Sequence, residues 1–225
     1  MSLLRQGVEL PFTFGFFQSR SPQLAAMQCI NYRPNISTVG ALSQENLYQT
    51  EGVSEVIAGS GDVSCRGIHR MNSIAYIVLG TKLYRIDRVV NPDKTKTYSR
   101  TELGDIEGSG RVSMASIWSG TGYELAIVVK GQYAYYYTEA GGVVSNLIGL
   151  TNFPSPVDDV VSLNGFMVFL QTGTNTVFHS NLNDVATYNA LDFELITRSP
   201  KVIGLVEFRG QLYVMGENQM LPYTC

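Results

Sequence analysis

The chain has 225 residues, 44% of them hydrophobic, and a formal net charge of -3. That length allows one large or two small domains with a sizeable core. The acidic balance argues against a surface built to grip nucleic-acid phosphates, and no apolar run approaches the roughly 20 residues of a membrane-spanning helix. Thirteen Tyr, ten Phe and 22 Gly, with little Ala- or Glu-rich periodicity, favour sheet over helix. The first 30 residues lack the basic, apolar and small-residue order of a signal peptide. Cys29, Cys65 and Cys225 form no CxxC. An odd count at wide spacing suits free thiols in a reducing compartment, each expected as a small buried side chain.

In chain order, residues 1–53 read as an N-terminal arm and strand segment, and residues 54–225 as repeated β units. The apolar run LPFTFGFF at 10–17 fits an arm or a first strand. CINYRP at 29–34 reads as a short strand ended by Pro34. The stretch 36–52 is polar and turn-rich. The first unit has strands at 66–70, 74–79 and 82–87, followed by a charged loop over 89–101. The second has strands at 111–118, 123–129 and 133–138, joined by short Gly turns. The third has strands at 159–163, 166–171 and 176–180. NDVATYNAL at 183–191 is the one helical expectation, with Asn183 as its cap. The fourth unit has strands at 201–208 and 211–215, then a tail in which Pro222 suits only an edge.

The four units align on their middle strands, AYIVLG, LAIVVKG, FMVFLQTG and LYVMG. Their closing glycines, Gly80, Gly131, Gly173 and Gly216, lie 51, 42 and 43 residues apart. A period of about 42–50 residues, with three or four short antiparallel strands in each, is the signature of β-propeller blades. The apolar middle strands fit sheets packed on both faces. The fold expected is all-β and propeller-like, with about four blades; an irregular β-sandwich is the plainer alternative.

Little in the chain looks catalytic. His69 and His179 have no second His or Cys at ligand spacing, so a packing role is expected for each. Asp158 and Asp159 are adjacent on a strand, which points them to opposite faces and away from joint acid–base work. Gly108-Ser109-Gly110-Arg111 lacks the Lys-Ser/Thr and helix of a phosphate loop. Ser119 lacks nucleophile-elbow spacing. No calcium loop, sialidase box or Trp-Asp repeat occurs. No catalytic residue, cofactor or metal site is expected.

One series of motifs does carry a resemblance. GSGRVSMA, comprising Gly108, Ser109, Gly110, Arg111, Val112, Ser113, Met114 and Ala115, closely resembles a segment of the packaged-DNA stabilisation proteins of short-tailed bacteriophages. These are tail accessory proteins that form the hub, or nozzle. CRGIHRMNSIAYIVLGTKLYR at 65–85 is similar to the blade before that run. The succession from 155 to 216 and the elements CINYRP and TEGV at 50–53 also look like the family's order.

The resemblance implies a non-enzymatic structural virion protein of the phage tail, assembled in the bacterial cytoplasm. It implies a homo-oligomeric ring, expected to be hexameric, that docks to the head–tail adaptor of the portal complex. Tail needle, spike or fibre proteins would bind below, and DNA would only pass through the lumen. A lumen that must release DNA should not hold phosphate tightly, which suits the net charge of -3. The alternative function is a propeller that binds or cleaves glycans, to be favoured by aromatic and acidic residues over one cleft. A host scaffold unrelated to phage is a third. Arg111 is expected to fix the start of its strand by pairing with Asp105 or Glu107. The last sheet is expected to be truncated, exposing an edge with Leu212, Val214 and Met215 that self-associates; the rival is closure by the strand near 29–32.

Overall fold

The structure is a computed structural model that describes residues 32–36, 45–49, 57, 64–199 and 201–223. The chain divides into two compact units, residues 1–55 and 56–225. In the first unit, β1 (Tyr32–Ile36) pairs antiparallel with β2 (Glu45–Gln49), Tyr32 standing opposite Gln49. The strand therefore runs through Pro34 instead of ending there. A two-stranded ribbon has two free edges, so a missing N–H donor is tolerated. β2 lies within the stretch expected to be turns. The segment 10–17, Cys29 and Cys225 lie outside the described residues.

In the second unit every described regular element is a strand. The first sheet is a meander of β3 (Cys65–Met71), β4 (Ile74–Leu79), β5 (Lys82–Val90) and β6 (Lys96–Asp105). The second contains β7 (Val112–Trp118), β8 (Tyr123–Val129), β9 (Tyr133–Thr138) and β10 (Val144–Asn146). The third contains β11 (Val157–Leu163), β12 (Phe166–Gln171), β13 (Thr176–Ser180) and β14 (Tyr188–Leu195). The fourth contains β15 (Val202–Phe208), β16 (Gln211–Gly216) and β17 (Met220–Tyr223). The first strands of successive sheets, β3, β7, β11 and β15, lie against one another. These are the blades of a β-propeller, as the repeat period predicts.

The middle strands explain the stacking. Leu125 through Val129 on β8 are all buried. Alternation sends Leu125, Ile127 and Val129 into the core shared with Tyr76, Val78 and Leu83 of the first sheet. Ala126 and Val128 enter the core shared with Val160, Met167 and Phe169 of the third. β12 repeats the pattern, with Val168 and Leu170 facing Leu205, Leu212 and Val214 of the fourth sheet. Each such side chain contributes about 1.5–3 kcal/mol on burial. The second-to-third junction is the most aromatic. Phe153 meets Phe169 edge-on at 5.5 Å, and Phe169 stacks on Phe178 at 5.3 Å.

Four sequence expectations need correction. The supposed loop 89–101 is mostly strand, because β5 and β6 form one long hairpin closed at residues 91–95. Asp93 Oδ1 accepts from Thr95 N at 3.0 Å, and Asn91 N donates to Thr95 O at 2.8 Å. Its polar residues hid it, since a projecting hairpin need not alternate. The helix at 183–191 does not form. Asn183 has φ of 57°, which no N-cap adopts. The Asp184 side chain accepts from Ala186 N and from the Thr187 hydroxyl, giving the backbone a turn in place of a helix. Val185 and Tyr188 are instead buried among Phe153, Phe169 and Phe178, and β14 starts at Tyr188.

Cys65 is exposed, not buried, because a bulge between Cys65 and Gly67 interrupts the pairing there. The fourth sheet does not end on an open β16. β17 pairs along it, and Leu212 and Val214 are buried against the third sheet. Pro222 sits on the edge strand of that sheet, where its missing donor costs no ladder bond. The closing strand envisaged near 29–32 falls largely on residues 29–31, outside the described residues.

Phe169 is fully buried at the centre of the aromatic junction. Phe169→Ala is expected to lower unfolding free energy by about 3–5 kcal/mol in chemical denaturation, because it opens a cavity that flanking rings cannot fill. A loss under about 1 kcal/mol would mean that the two sheets do not pack through this ring.

Candidate functional site

The motif Gly108–Ala115 forms the crossing from the first sheet to the second. Gly108 and Gly110 have φ of 83° and 80°, so the chain doubles back through conformations that favour glycine. A Cβ at Gly108 would also stand 2.7 Å from Gln132 Oε1. Gln132 holds the loop from the second sheet: its Oε1 accepts from Ser109 N at 3.2 Å, and its Nε2 donates to Ser109 O at 3.2 Å. Val112 is buried in the core with the first sheet and Ala115 in the core with the third. Met114 packs against the first of these cores and Ser113 is half-buried. The motif is a hinge of packing and turns.

Arg111 does not play the part expected of it. It is exposed, and among the described residues it forms no ion pair. The work falls to Arg66, a buried residue on β3. Its Nε donates to Gly110 O at 2.8 Å, and its Nη1 to Gly80 O and Ile106 O, both at 2.9 Å. Nη2 reaches Glu107 O at 3.4 Å. The guanidinium thus joins the turn of its own sheet to the crossing strand, through carbonyl oxygens alone. Burial pulls its pKa below the usual arginine value, opposed by Tyr135 nearby, and the group stays charged. The signal in the sequence was a charged residue at the start of a strand of an apolar-cored repeat.

Other junctions use the same device. Asn175 Nδ2 donates to Ser199 O at 2.7 Å, and its Oδ1 accepts from Val202 N at 3.0 Å, tying the third sheet to the fourth. Asp159 Oδ2 accepts from Leu205 N at 2.9 Å across the same junction. Asp158 bonds instead to the Thr172 hydroxyl at 2.7 Å, so the two neighbouring carboxylates serve different places. Between the second and third sheets, Glu124 Oε2 accepts from Val185 N at 2.8 Å. Burial pushes the Glu124 carboxyl up; the Val185 N–H opposes this and Asp184 adds to it.

No catalytic constellation assembles among the described residues. Among the described residues, no group of three or more His, Cys, Asp and Glu could hold a metal ion. His179 Nδ1 lies 2.8 Å from Ser180 O, and its ring meets Phe166 edge-on. His69 Nε2 lies 2.9 Å from Ser116 Oγ, bridging β3 and β7.

Arg66→Met is expected to cost several kcal/mol in denaturant unfolding, at about 1–3 kcal/mol for each buried carbonyl left unpaired. Arg111→Ala should stay within about 0.5 kcal/mol. Equal losses would overturn the assignment to Arg66. His69 supplies a pH dependence. Burial lowers its pKa below the ordinary 6.5, so the unfolded chain takes up the proton first on acidification. This contribution to stability is complete above pH 6.5, is lost as pH falls through that value, and levels off below the folded pKa. Denaturant midpoints at pH 7.5 and pH 5 should differ less in His69→Gln than in the unaltered chain.

The family model described as bacteriophage P22 Gp10, beta-propeller, matches residues 8–220. No curated relative matches the chain. Two solved structures are similar at 12% identity. One is the complex of the fission yeast SREBP-SCAP binding domains, with TM-score 0.42 over 82% of this chain and 53% of that one. The other is the Myxococcus xanthus glutaminyl cyclase, with TM-score 0.34 over 79% of this chain and 80% of that one. The chain spans about half the length of the first, 53%. With nearly its whole length matched to one family model, the chain belongs to the bacteriophage packaged-DNA stabilisation family of β-propellers, structural proteins of the virion.

Proposed function

We propose that the protein is a tail hub or nozzle component, assembled as a homo-oligomeric ring between the head–tail adaptor and the tail needle or fibre proteins. In this role it keeps packaged DNA in the head and then lets it leave. The observation that carries the reading is the edge strand β14. Its Leu191, Phe193 and Leu195 alternate along one face and are 80%, 57% and 57% exposed. The other outer edges of the second unit are blunted. β6 carries Lys96, Arg100 and Glu102, β10 is three residues long, and β17 contains Pro222. β14 has eight residues with no Pro, Lys or Arg, and its carboxylates, Asp192 and Glu194, alternate onto the face opposite the apolar row. A long edge strand with an exposed apolar row on one face is a surface that another chain covers. The net charge of -3 suits a passage that DNA leaves without a phosphate brake.

Size-exclusion chromatography with light scattering tests the assembly. The unaltered chain is expected to form a discrete oligomer. Leu191→Lys with Phe193→Lys should reduce it to monomer with its unfolding midpoint unchanged. A chain that stays monomeric at high concentration, or oligomers that survive both lysines, would overturn this role for β14.

A further inference from the structure

A second feature lies away from both the Arg66 junction and β14. Between the second and third sheets there is a cleft of about 420 Å3. Its walls are the end of β7, the β11–β12 turn and the loop after β13. That volume falls within the usual range for small-molecule sites, roughly 300–1,000 Å3.

Three properties define what it would hold. First, Trp118, the chain's one tryptophan, stands in it 49% exposed. Tyr123 braces the indole edge-on at 5.0 Å, so the ring is held as a platform. Second, the polar side chains of Ser162, Asn164 and Asn183 line the cleft with no hydrogen-bond partner among the described residues. Third, no lining residue is ionisable. The backbone that carries the amides is also fixed in place. Asn164-Gly165 is a two-residue turn with φ of 49° and 86°, and Asn183 N donates to Gly165 O at 2.8 Å. A Cβ on Gly165 would stand 2.5 Å from Asn183 Oδ1, so glycine is what makes room for the Asn183 amide beside the turn.

We propose that this cleft binds a neutral saccharide, with one sugar ring lying on Trp118 and its hydroxyls reached by Ser162, Asn164 and Asn183. An indole offers a flat apolar surface to the C–H face of a pyranose. Amide and hydroxyl groups donate and accept at once, as sugar hydroxyls do. The uncharged lining selects against phosphate and carboxylate ligands. The lining holds no carboxylate, so this is a binding site and not a site of glycan cleavage. The inference does not rest on the assembly reading, because none of these residues lies on β14.

Trp118 supplies its own readout. Glucose, galactose, rhamnose and N-acetylglucosamine would each be titrated while tryptophan emission is followed. At least one should give a saturable blue shift with half-saturation near 1 mM, the scale for a single ring held by few bonds. Asn164→Asp and Asn183→Asp keep residues that tolerate positive φ but remove the amide donors. Each should raise the half-saturation concentration about three- to tenfold, one neutral hydrogen bond's worth, with thermal unfolding unchanged. Calorimetric titration provides a second measurement that does not depend on the indole. No saturable response to any of the four sugars by about 100 mM would overturn the proposal. So would equal binding in both Asp variants, stronger binding of a sialic acid, or a response to N-acetyl-leucinamide alone, which would mark a protein-docking cleft.

Discussion

Each middle strand of this propeller is apolar on both faces, and that constraint governs the rest. A sheet such as β7–β10 cannot hide Leu125 and Ile127 on one side and Ala126 and Val128 on the other by itself. It needs a neighbour on each side, so the four sheets stack through three shared cores. Apolar cores alone are non-directional and would allow sliding. The hydrogen bonds of Arg66, Glu124, Asp159 and Asn175 fix the register between sheets, one junction at a time. Each satisfies a main-chain group that belongs to a neighbouring sheet or to the loop beside it.

Much of this could be read in the sequence, and the failures are informative. The middle strands were legible because double-sided burial writes a continuous apolar run, and the glycine spacing gave the period. The β5–β6 hairpin was not, because strands that project into solvent carry no alternation. The segment 183–191 has a helix's composition, yet Val185 and Tyr188 gain more from the aromatic core than two isolated helical turns could supply. Arg111 looked important because it lies inside the family-like motif, while Arg66, 45 residues earlier, does the holding. Only the fold brings Arg66 beside Gly110, and no local pattern encodes that distance.

Family membership establishes the structural class and the propeller. Two further features lie on the surface, the exposed apolar row of β14 and the uncharged cleft beside Trp118. The two are chemically unlike: one presents a free backbone ladder beside a greasy row, the other an indole ringed by amides. On the two proposals made for them, these surfaces would engage a chain and a small polar molecule at separate places.

Arg66 grips only carbonyl oxygens, and every residue carries a carbonyl. The side chains at Ile106 and Glu107 are therefore free, as far as this contact goes, to change over generations. The junction is anchored to the path of the chain and not to its spelling. A clamp of this kind lets a lineage rewrite most of a blade while keeping its angle to the next, so relatives can share an architecture long after their letters have diverged.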